Sequence, residues 1–266
     1  MTRLAVIGAG VMGETLIAGL LRAGWSAEAI TAADRHAPRL VELEGRHGIH
    51  TATTADAAAE ADTVVIVVKP QDASEVLPAV GAAIRPGTLV VSLCAGLSTH
   101  RIEAAMPDGT AVVRVMPNTP AQVDEGMAAI SAGAAATPEH LEHVTELLSA
   151  VGKVVTVPEK YQDAVTAISG SGPAYLFFVV EAMIDAGVML GLPRDVSTTL
   201  VVQTMYGSAK LLADSGEHPT VLRERVTSPG GTTAAALREL EDHRVKAAFM
   251  TAMEAARDRS RALASS

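Results

Sequence analysis

Over the first 157 residues the apolar positions follow two alternating rhythms. Short unbroken runs rich in Val, Ile, Leu and Ala predict strands over residues 4–7, 29–33, 49–52, 63–68, 88–92, 112–116, 127–131 and 153–157. Between them, apolar residues recur at helical spacing. Val11, Leu16, Ile17 and Leu20 mark a first helix, and Pro38 sits in the first turn of a second that runs to His47. A brief helix with Asp56 as its cap follows, then helices over 72–84, 98–106 and 138–150. The run from Thr63 to Val68 is unbroken and β-branched, the pattern of a central strand covered on both faces of a parallel sheet. Strands alternating with helices predict an α/β fold with a doubly wound, mostly parallel sheet.

Past Val157 the strand signal stops. Helices are predicted over 161–169, 174–190, 193–214, 219–226 and 233–263, with Pro173, Pro193 and Pro219 where a helix start tolerates a missing N–H. Pro158-Glu159-Lys160 marks the boundary, dividing the chain into residues 1–158, a sheet domain, and 159–266, an all-helical one. Residues 174–190 are apolar enough to suggest a membrane span, but Glu181 and Asp185 share one helix face, as on an interface helix. The bundle is thin for its hydrophobicity, which predicts a homodimer.

The first strand leads into Ile7-Gly8-Ala9-Gly10-Val11-Met12-Gly13. In this G-x-G-x-x-G turn Gly8 permits the tight turn, Gly10 keeps a side chain away from a pyrophosphate, and Gly13 lets helix and strand approach. The helix N-terminus then points its free N–H groups at the phosphates. The sheet domain is therefore expected to be Rossmann-like and to bind a dinucleotide. Ligands of such sheets lie beyond the carboxyl ends of the strands, which brings in Asp34-Arg35, Val67-Val68-Lys69-Pro70, Leu93-Cys94-Ala95 and Pro117-Asn118-Thr119. Asp34 is placed to bind the ribose hydroxyls of NAD. Arg35, with His36 and Arg39 nearby, suits the 2′-phosphate of NADP, and both readings stay open.

Composition narrows the partners. A formal net charge of −9 argues against nucleic acid or an anionic membrane. The single cysteine, Cys94, excludes an intramolecular disulfide and fits a reducing, cytoplasmic setting, and no secretory signal is read at the amino terminus. Aromatic residues are only 3% of the chain, so its cores rest on Ala, Val, Leu and Ile. His140 and His143 share a helix face beside Glu139 and Glu142, but no third ligand stands out, and no metal site is expected.

A second glycine turn, Ser228-Pro229-Gly230-Gly231-Thr232-Thr233, opens the last predicted helix. Backbone N–H groups at such a start suit a small carboxylate, while Thr232 or Thr233 serving as a helix cap is the commoner use. Gly170-Ser171-Gly172-Pro173-Ala174-Tyr175 reads as a helix broken and restarted.

Five stretches in order resemble the pyrroline-5-carboxylate reductase family. They are the turn from Ile7 to Met12, Val68-Lys69-Pro70-Gln71, Met116-Pro117-Asn118-Thr119-Pro120-Ala121, Ser169 to Tyr175, and Val226 to Thr233. The last two are the specific ones. The resemblance implies hydride transfer from NADPH, with NADH the alternative, to the C=N bond of L-1-pyrroline-5-carboxylate, giving L-proline in the last step of proline biosynthesis. It implies a Rossmann domain followed by a helical dimerisation domain, with dimers that assemble into decamers.

Carried over by residue, Ile7, Gly8, Ala9, Gly10, Val11 and Met12 hold the pyrophosphate and Asp34 and Arg35 the adenosine end. Val67, Val68, Lys69, Pro70, Leu93, Cys94 and Ala95 line the path to the nicotinamide. Ser228, Gly230, Gly231, Thr232 and Thr233 hold the substrate carboxylate, and Thr233 hydrogen-bonds the ring nitrogen. Gly13 stands where members often have alanine, which the turn is expected to tolerate. Asp34 departs from the small or amide residue of some members. The rival readings are a related reductase acting on another cyclic imine or a β-hydroxyacid, and a non-catalytic NAD(P)H sensor. The hydroxyacid enzymes use a helix lysine as general acid, and the helix after Gly172 offers only Glu181 and Asp185.

Overall fold

In the computed structural model, which describes residues 2–264, a Val- and Ala-rich sheet alternates with helices as far as residue 156. The order is β1 (Leu4–Ile7), α1 (Val11–Arg22), β2 (Ile30–Ala33), α2 (Ala37–His47), β3 (His50–Thr51), α3 (Thr54–Glu60) and β4 (Thr63–Ile66). It continues with α4 (Ala73–Ala83), β5 (Leu89–Ser92), α5 (Thr99–Glu103), β6 (Val112–Met116), β7 (Gly126–Ala132), α6 (Pro138–Ser149) and β8 (Gly152–Thr156). The sheet runs β3-β2-β1-β4-β5-β6-β7-β8, parallel through β6, then antiparallel from β6 to β7 and parallel again to β8. Strand order reverses between β1 and β4, where Ile7 pairs with Ile66, and in such sheets that crevice is where ligands bind.

Because side chains alternate across a strand, each face of the sheet has its own core. Leu4, Val6, Val65 and Val91 pack with Leu16, Ile17 and Leu20 of α1 on one face. Ala5, Ile7, Val64, Ile66 and Val90 pack with Leu77 and Val80 of α4 on the other. All four residues of β4 are buried, as its apolar run requires. Among the described residues one charged side chain is buried in this sheet. Arg114 of β6 is buried and donates from Nη1 to Glu159 Oε1 at 3.1 Å.

Two local expectations need correction. The cap of α3 is Thr53, whose Oγ1 accepts from the Asp56 N–H at 3.2 Å, while Asp56 stands three residues in and accepts the Thr53 hydroxyl at 2.7 Å. The one hydroxyl caps the helix and donates to the acid three residues on, so the acid is not the cap. The helix is broken at Ser171 and restarted at Gly172, as expected. A π-helical stretch, Thr166–Gly170, follows α7 (Gln162–Val165), and the Ser171 N–H reaches back to the Thr166 carbonyl at 2.8 Å before α8 (Gly172–Met189) begins. The single helix expected over 233–263 is two, α11 (Thr232–Asp242) and α12 (Val245–Ala264). Arg244 separates them with a left-handed φ of 56°. No Gly or Pro marks that turn, and apolar spacing continues on both sides of it.

By contacts the described chain divides into a unit running to Ser171 that also takes in the segment from Ala256, and a second unit, Gly172–Ala255. The second unit contains α8, α9 (Arg194–Ser215), α10 (Pro219–Arg225), α11 and most of α12. Helices α8 and α9 touch closely: a Cβ on Gly187 would lie 2.1 Å from Ser197 Oγ, which donates to the Ile184 carbonyl. Ser197 and Val201 are the buried residues of these two helices, whereas Phe177 and Phe178 are 68% and 71% exposed. The helical run 159–189 is long and apolar enough, by length and composition, to cross a membrane, with 6% of its apolar window buried.

Candidate functional site

The turn after β1 shows why three glycines stand there. Gly8 has φ 108°, and a Cβ on it would lie 2.3 Å from the Val67 carbonyl oxygen. A Cβ on Gly13 would lie 2.1 Å from the Gly8 carbonyl oxygen, so alanine at this position requires the loop to move, contrary to the expected tolerance. Gly10 is different. A Cβ there meets nothing within 4 Å. No protein atom demands that glycine, and the open space beside it is what a backbone-bound phosphate group requires.

That space belongs to a cavity of about 650 Å³ beyond the carboxyl ends of β1, β2 and β4. Of the expected cofactor residues, Ile7, Gly8, Gly10, Asp34, Arg35, Val67, Val68 and Lys69 line it. The others lie elsewhere. Ala9 is fully buried under the turn, and Val11 is exposed on the first turn of α1. Met12 and Leu93 line a small apolar pocket with Asn118. Pro70 and Ala95 line a third cavity, of about 560 Å³, with Arg101 and Ser171. The Cys94 side chain is buried in the core, burial pushes its thiol pKa up, and only its backbone faces a strand end. Thr53, Thr54 and Ala55 also line the large cavity and were not anticipated, although they follow the carboxyl end of β3 and obey the same rule as the others.

Asp34 is committed to the turn. Its Oδ2 accepts the Ala9 N–H at 2.8 Å, and its Oδ1 accepts the His36 N–H at 2.9 Å. Burial works against its charge, but these hydrogen bonds outweigh it and hold the carboxyl below its usual range. Arg35 is exposed at the rim, paired with Asp72 at 2.9 Å. Arg39 does not join it there. Its Nε donates to the Ala9 carbonyl at 2.9 Å, and its remaining nitrogens pair with Glu14 and Glu42.

In the second unit, Gly230 has φ 68°, which favours glycine, and Gly231 is the N-cap of α11 with no side-chain cap. The expectation that Thr232 or Thr233 caps this helix is therefore overturned. The chain reaches its first helical turn through glycine, so both threonines stand inside the helix rather than before it. Neither threonine hydroxyl has a partner among the described residues, and Thr233 is half-buried.

The two histidines of α6 are each held by a threonine. His140 Nδ1 accepts the Thr137 N–H at 3.0 Å, and His143 Nε2 meets the Thr63 hydroxyl at 3.1 Å. Among the described residues no group of three His, Cys, Asp or Glu gathers to hold a metal.

A nucleotide cavity at the switch point of a parallel sheet, followed by a helical unit with its own glycine turn, defines a nicotinamide-nucleotide oxidoreductase of the Rossmann class. Comparison with known proteins agrees. Residues 3–96 match the family model described as NADP oxidoreductase, coenzyme F420-dependent, and residues 159–263 match that for pyrroline-5-carboxylate reductase dimerisation. A pyrroline-5-carboxylate reductase of Corynebacterium melassecola is 45% identical, over 99% of both chains. One of Mycobacterium tuberculosis is 43% identical, over 99% of this chain and 97% of that one. Among solved structures, a pyrroline-5-carboxylate reductase from Coxiella burnetii superposes with TM-score 0.94 at 32% identity, over 98% of each chain. That of Plasmodium falciparum, with NADP bound, superposes with TM-score 0.88 at 31% identity, over 99% of this chain and 98% of that one. The chain belongs to the pyrroline-5-carboxylate reductase family.

Proposed function

We propose that this protein reduces L-1-pyrroline-5-carboxylate to L-proline at the expense of NADPH. The observation that carries the cofactor half is the cavity of about 650 Å³ at the switch point, which Gly10 lines with no protein atom within 4 Å of where a Cβ would stand. When bound, the cofactor would supply a hydride to the imine carbon of the C=N bond, and the ring nitrogen, entering as the iminium or taking a proton from water, becomes the amine. The chain's own residues do the rest. Ile7, Gly8, Gly10, Val11 and Met12 hold the pyrophosphate and Arg35 the adenosine end, while Asp34 and Ala9, bonded to each other, fix the shape of the turn. Val67, Val68, Lys69, Pro70, Leu93, Cys94 and Ala95 guide the rest of the nucleotide. The N–H groups of Ser228, Gly230 and Thr232, at the positive end of α11, receive the substrate carboxylate, while the Gly231 N–H closes the turn on the Ser228 carbonyl at 3.0 Å. The hydroxyl of Thr233, which has no partner among the described residues, donates a hydrogen bond to the ring nitrogen as charge shifts there. An alcohol is too weak an acid to protonate it outright, so its part is positioning.

NADPH is favoured over NADH because Asp34 is engaged by the turn, while the rim cation is Arg35. Replacing Arg35 by Ala is expected to lower kcat/KM with NADPH by about tenfold and with NADH by less than about twofold. An equal loss with both would reassign Arg35. In this reading, residues 1–158 form the nucleotide domain and 159–266 the substrate and dimerisation domain. The working unit is a homodimer that assembles further into a decamer, placed in the cytoplasm. Sedimentation of the purified protein tests the assembly. The deciding assay is oxidation of NADPH with pyrroline-5-carboxylate against other cyclic imines and 2-keto acids. Preference for any other substrate sinks the assignment.

A further inference from the structure

The hydrogen bonds around Ala9 concern the geometry of the turn rather than any charge on the cofactor. The Ala9 N–H is held by Asp34 Oδ2 at 2.8 Å, and the Ala9 carbonyl accepts from Arg39 Nε at 2.9 Å. Both peptide planes flanking Ala9 are thus gripped by side chains of the segment after β2. In a planar trans peptide the carbonyl and the following N–H point to opposite sides. Fixing the Ala9 carbonyl on Arg39 therefore aims the Gly10 N–H the other way, and Gly10 is the residue that lines the cavity. Glycine gives the backbone little resistance to rotation, so without that anchor the plane between Ala9 and Gly10 is free to turn its carbonyl toward the phosphate.

Arg39 is itself immobilised. It pairs with Glu14 of α1 and with Glu42 of α2, and its side chain is only 24% exposed. Glu14 also receives Arg46 and His47 of α2. Burial opposes its charge, yet the hydrogen bonds from Arg39, His47 and Arg46 bring its carboxyl down to about 2. The cluster ties α2 to α1 and ends on the carbonyl of the glycine turn.

We infer that Arg39 is a positioning residue for the dinucleotide: it orients the Ala9–Gly10 peptide so that the turn presents N–H, not carbonyl, to the pyrophosphate. This rests on reading the large cavity as the nucleotide site. Because NADH and NADPH share the pyrophosphate, Arg39 serves both equally. A residue contacting the 2′-phosphate would serve only NADPH.

The test measures direct binding of NADH and NADPH by calorimetry, with steady-state kinetics alongside, for wild type, Arg39→Leu, Arg39→Lys and Arg46→Leu. Arg39→Leu is expected to raise Kd and KM for both nucleotides by about 10- to 100-fold, the range for losing a charge-assisted hydrogen bond. Its kcat at saturating nucleotide should change by less than about threefold. Arg39→Lys keeps the charge but loses the fork that grips Ala9 and Glu14 together, so it should remain impaired toward both. Arg46→Leu loses a Glu14 bond without touching Ala9 and should bind both nucleotides as wild type does.

A loss confined to NADPH and rescued by lysine overturns the inference in favour of a phosphate contact. So does unchanged binding in Arg39→Leu. An equal loss in Arg46→Leu overturns it in favour of general destabilisation. Failure of the wild-type protein to bind either nucleotide refutes the reading of the cavity instead.

Discussion

Thr233 carries the sharpest expectation at the level of single residues. Its hydroxyl is half-buried, has no partner among the described residues, and stands in the first turn of a helix capped by glycine. Thr233→Ala is expected to lower kcat/KM for pyrroline-5-carboxylate by about 10- to 1000-fold, or roughly 1.4–4 kcal/mol, with NADPH affinity nearly unchanged. Thr233→Ser, which keeps the hydroxyl, should recover most of the loss. Near-wild-type kinetics in the alanine variant would remove Thr233 from the site. The three glycines of the first turn differ in a way that bears on engineering. Gly8 and Gly13 answer to protein atoms within 2.3 Å of a hypothetical Cβ, whereas Gly10 lines the cavity and a Cβ there meets nothing within 4 Å. Gly10→Val should therefore abolish nucleotide binding while leaving thermal stability close to wild type. Gly8→Val should lose both.

Secondary-structure elements are joined by a few buried charges, and these set the response to acid. Glu159, in the turn before α7, accepts the N–H and hydroxyl of Thr99 at 2.7 and 2.6 Å and pairs with the buried Arg114 of β6. Burial of the carboxyl opposes its charge, but those hydrogen bonds outweigh it and hold its pKa below the usual 4.5. A carboxyl depressed on folding stabilises the native state above its unfolded pKa, and that contribution fades as pH falls through the folded value. Glu159 thus supports the fold at neutral pH and loses its effect below about pH 4.5. Glu159→Gln leaves Arg114 buried without its counter-charge and is expected to cost about 3 kcal/mol at pH 7, with a shallower loss of Tm between pH 5 and 3. Denaturation followed by circular dichroism across that range checks both parts. An unchanged pH slope would mean other carboxylates govern acid unfolding.

For the whole molecule the decisive fact is the apolar surface of the second unit. Phe177, Phe178, Met189 and Leu190 are all more than half exposed, on or just beyond α8, a helix without a buried residue. Such a surface calls for a partner. The match of residues 159–263 to a dimerisation family indicates self-association. Replacing Phe177 and Phe178 together by Asp is expected to give monomers by light scattering and to abolish turnover. Wild-type protein that is monomeric at low micromolar concentration would refute the dimer.

Much of this was readable from sequence because the signals are local. An unbroken β-branched run needs burial on both faces, so Thr63 to Val68 announced the central strand, although the strand itself closes at Ile66. Strand followed by G-x-G-x-x-G announced the tight glycine turn before α1, and Ser228 to Thr233 announced a second glycine turn before α11. Three things were decided only by tertiary structure. Asp34 and Arg39 were read as charges facing a ligand, but both are spent on the Ala9 peptide. Arg114 and Glu159 gave no sign of pairing, since they lie on different elements and meet only when the sheet and the helix after it pack. Arg244 breaks the last helix at a residue with no turn signature. Periodicity records which face of an element is apolar. It does not record which distant backbone group a long charged side chain will find, because that depends on how the elements pack in three dimensions.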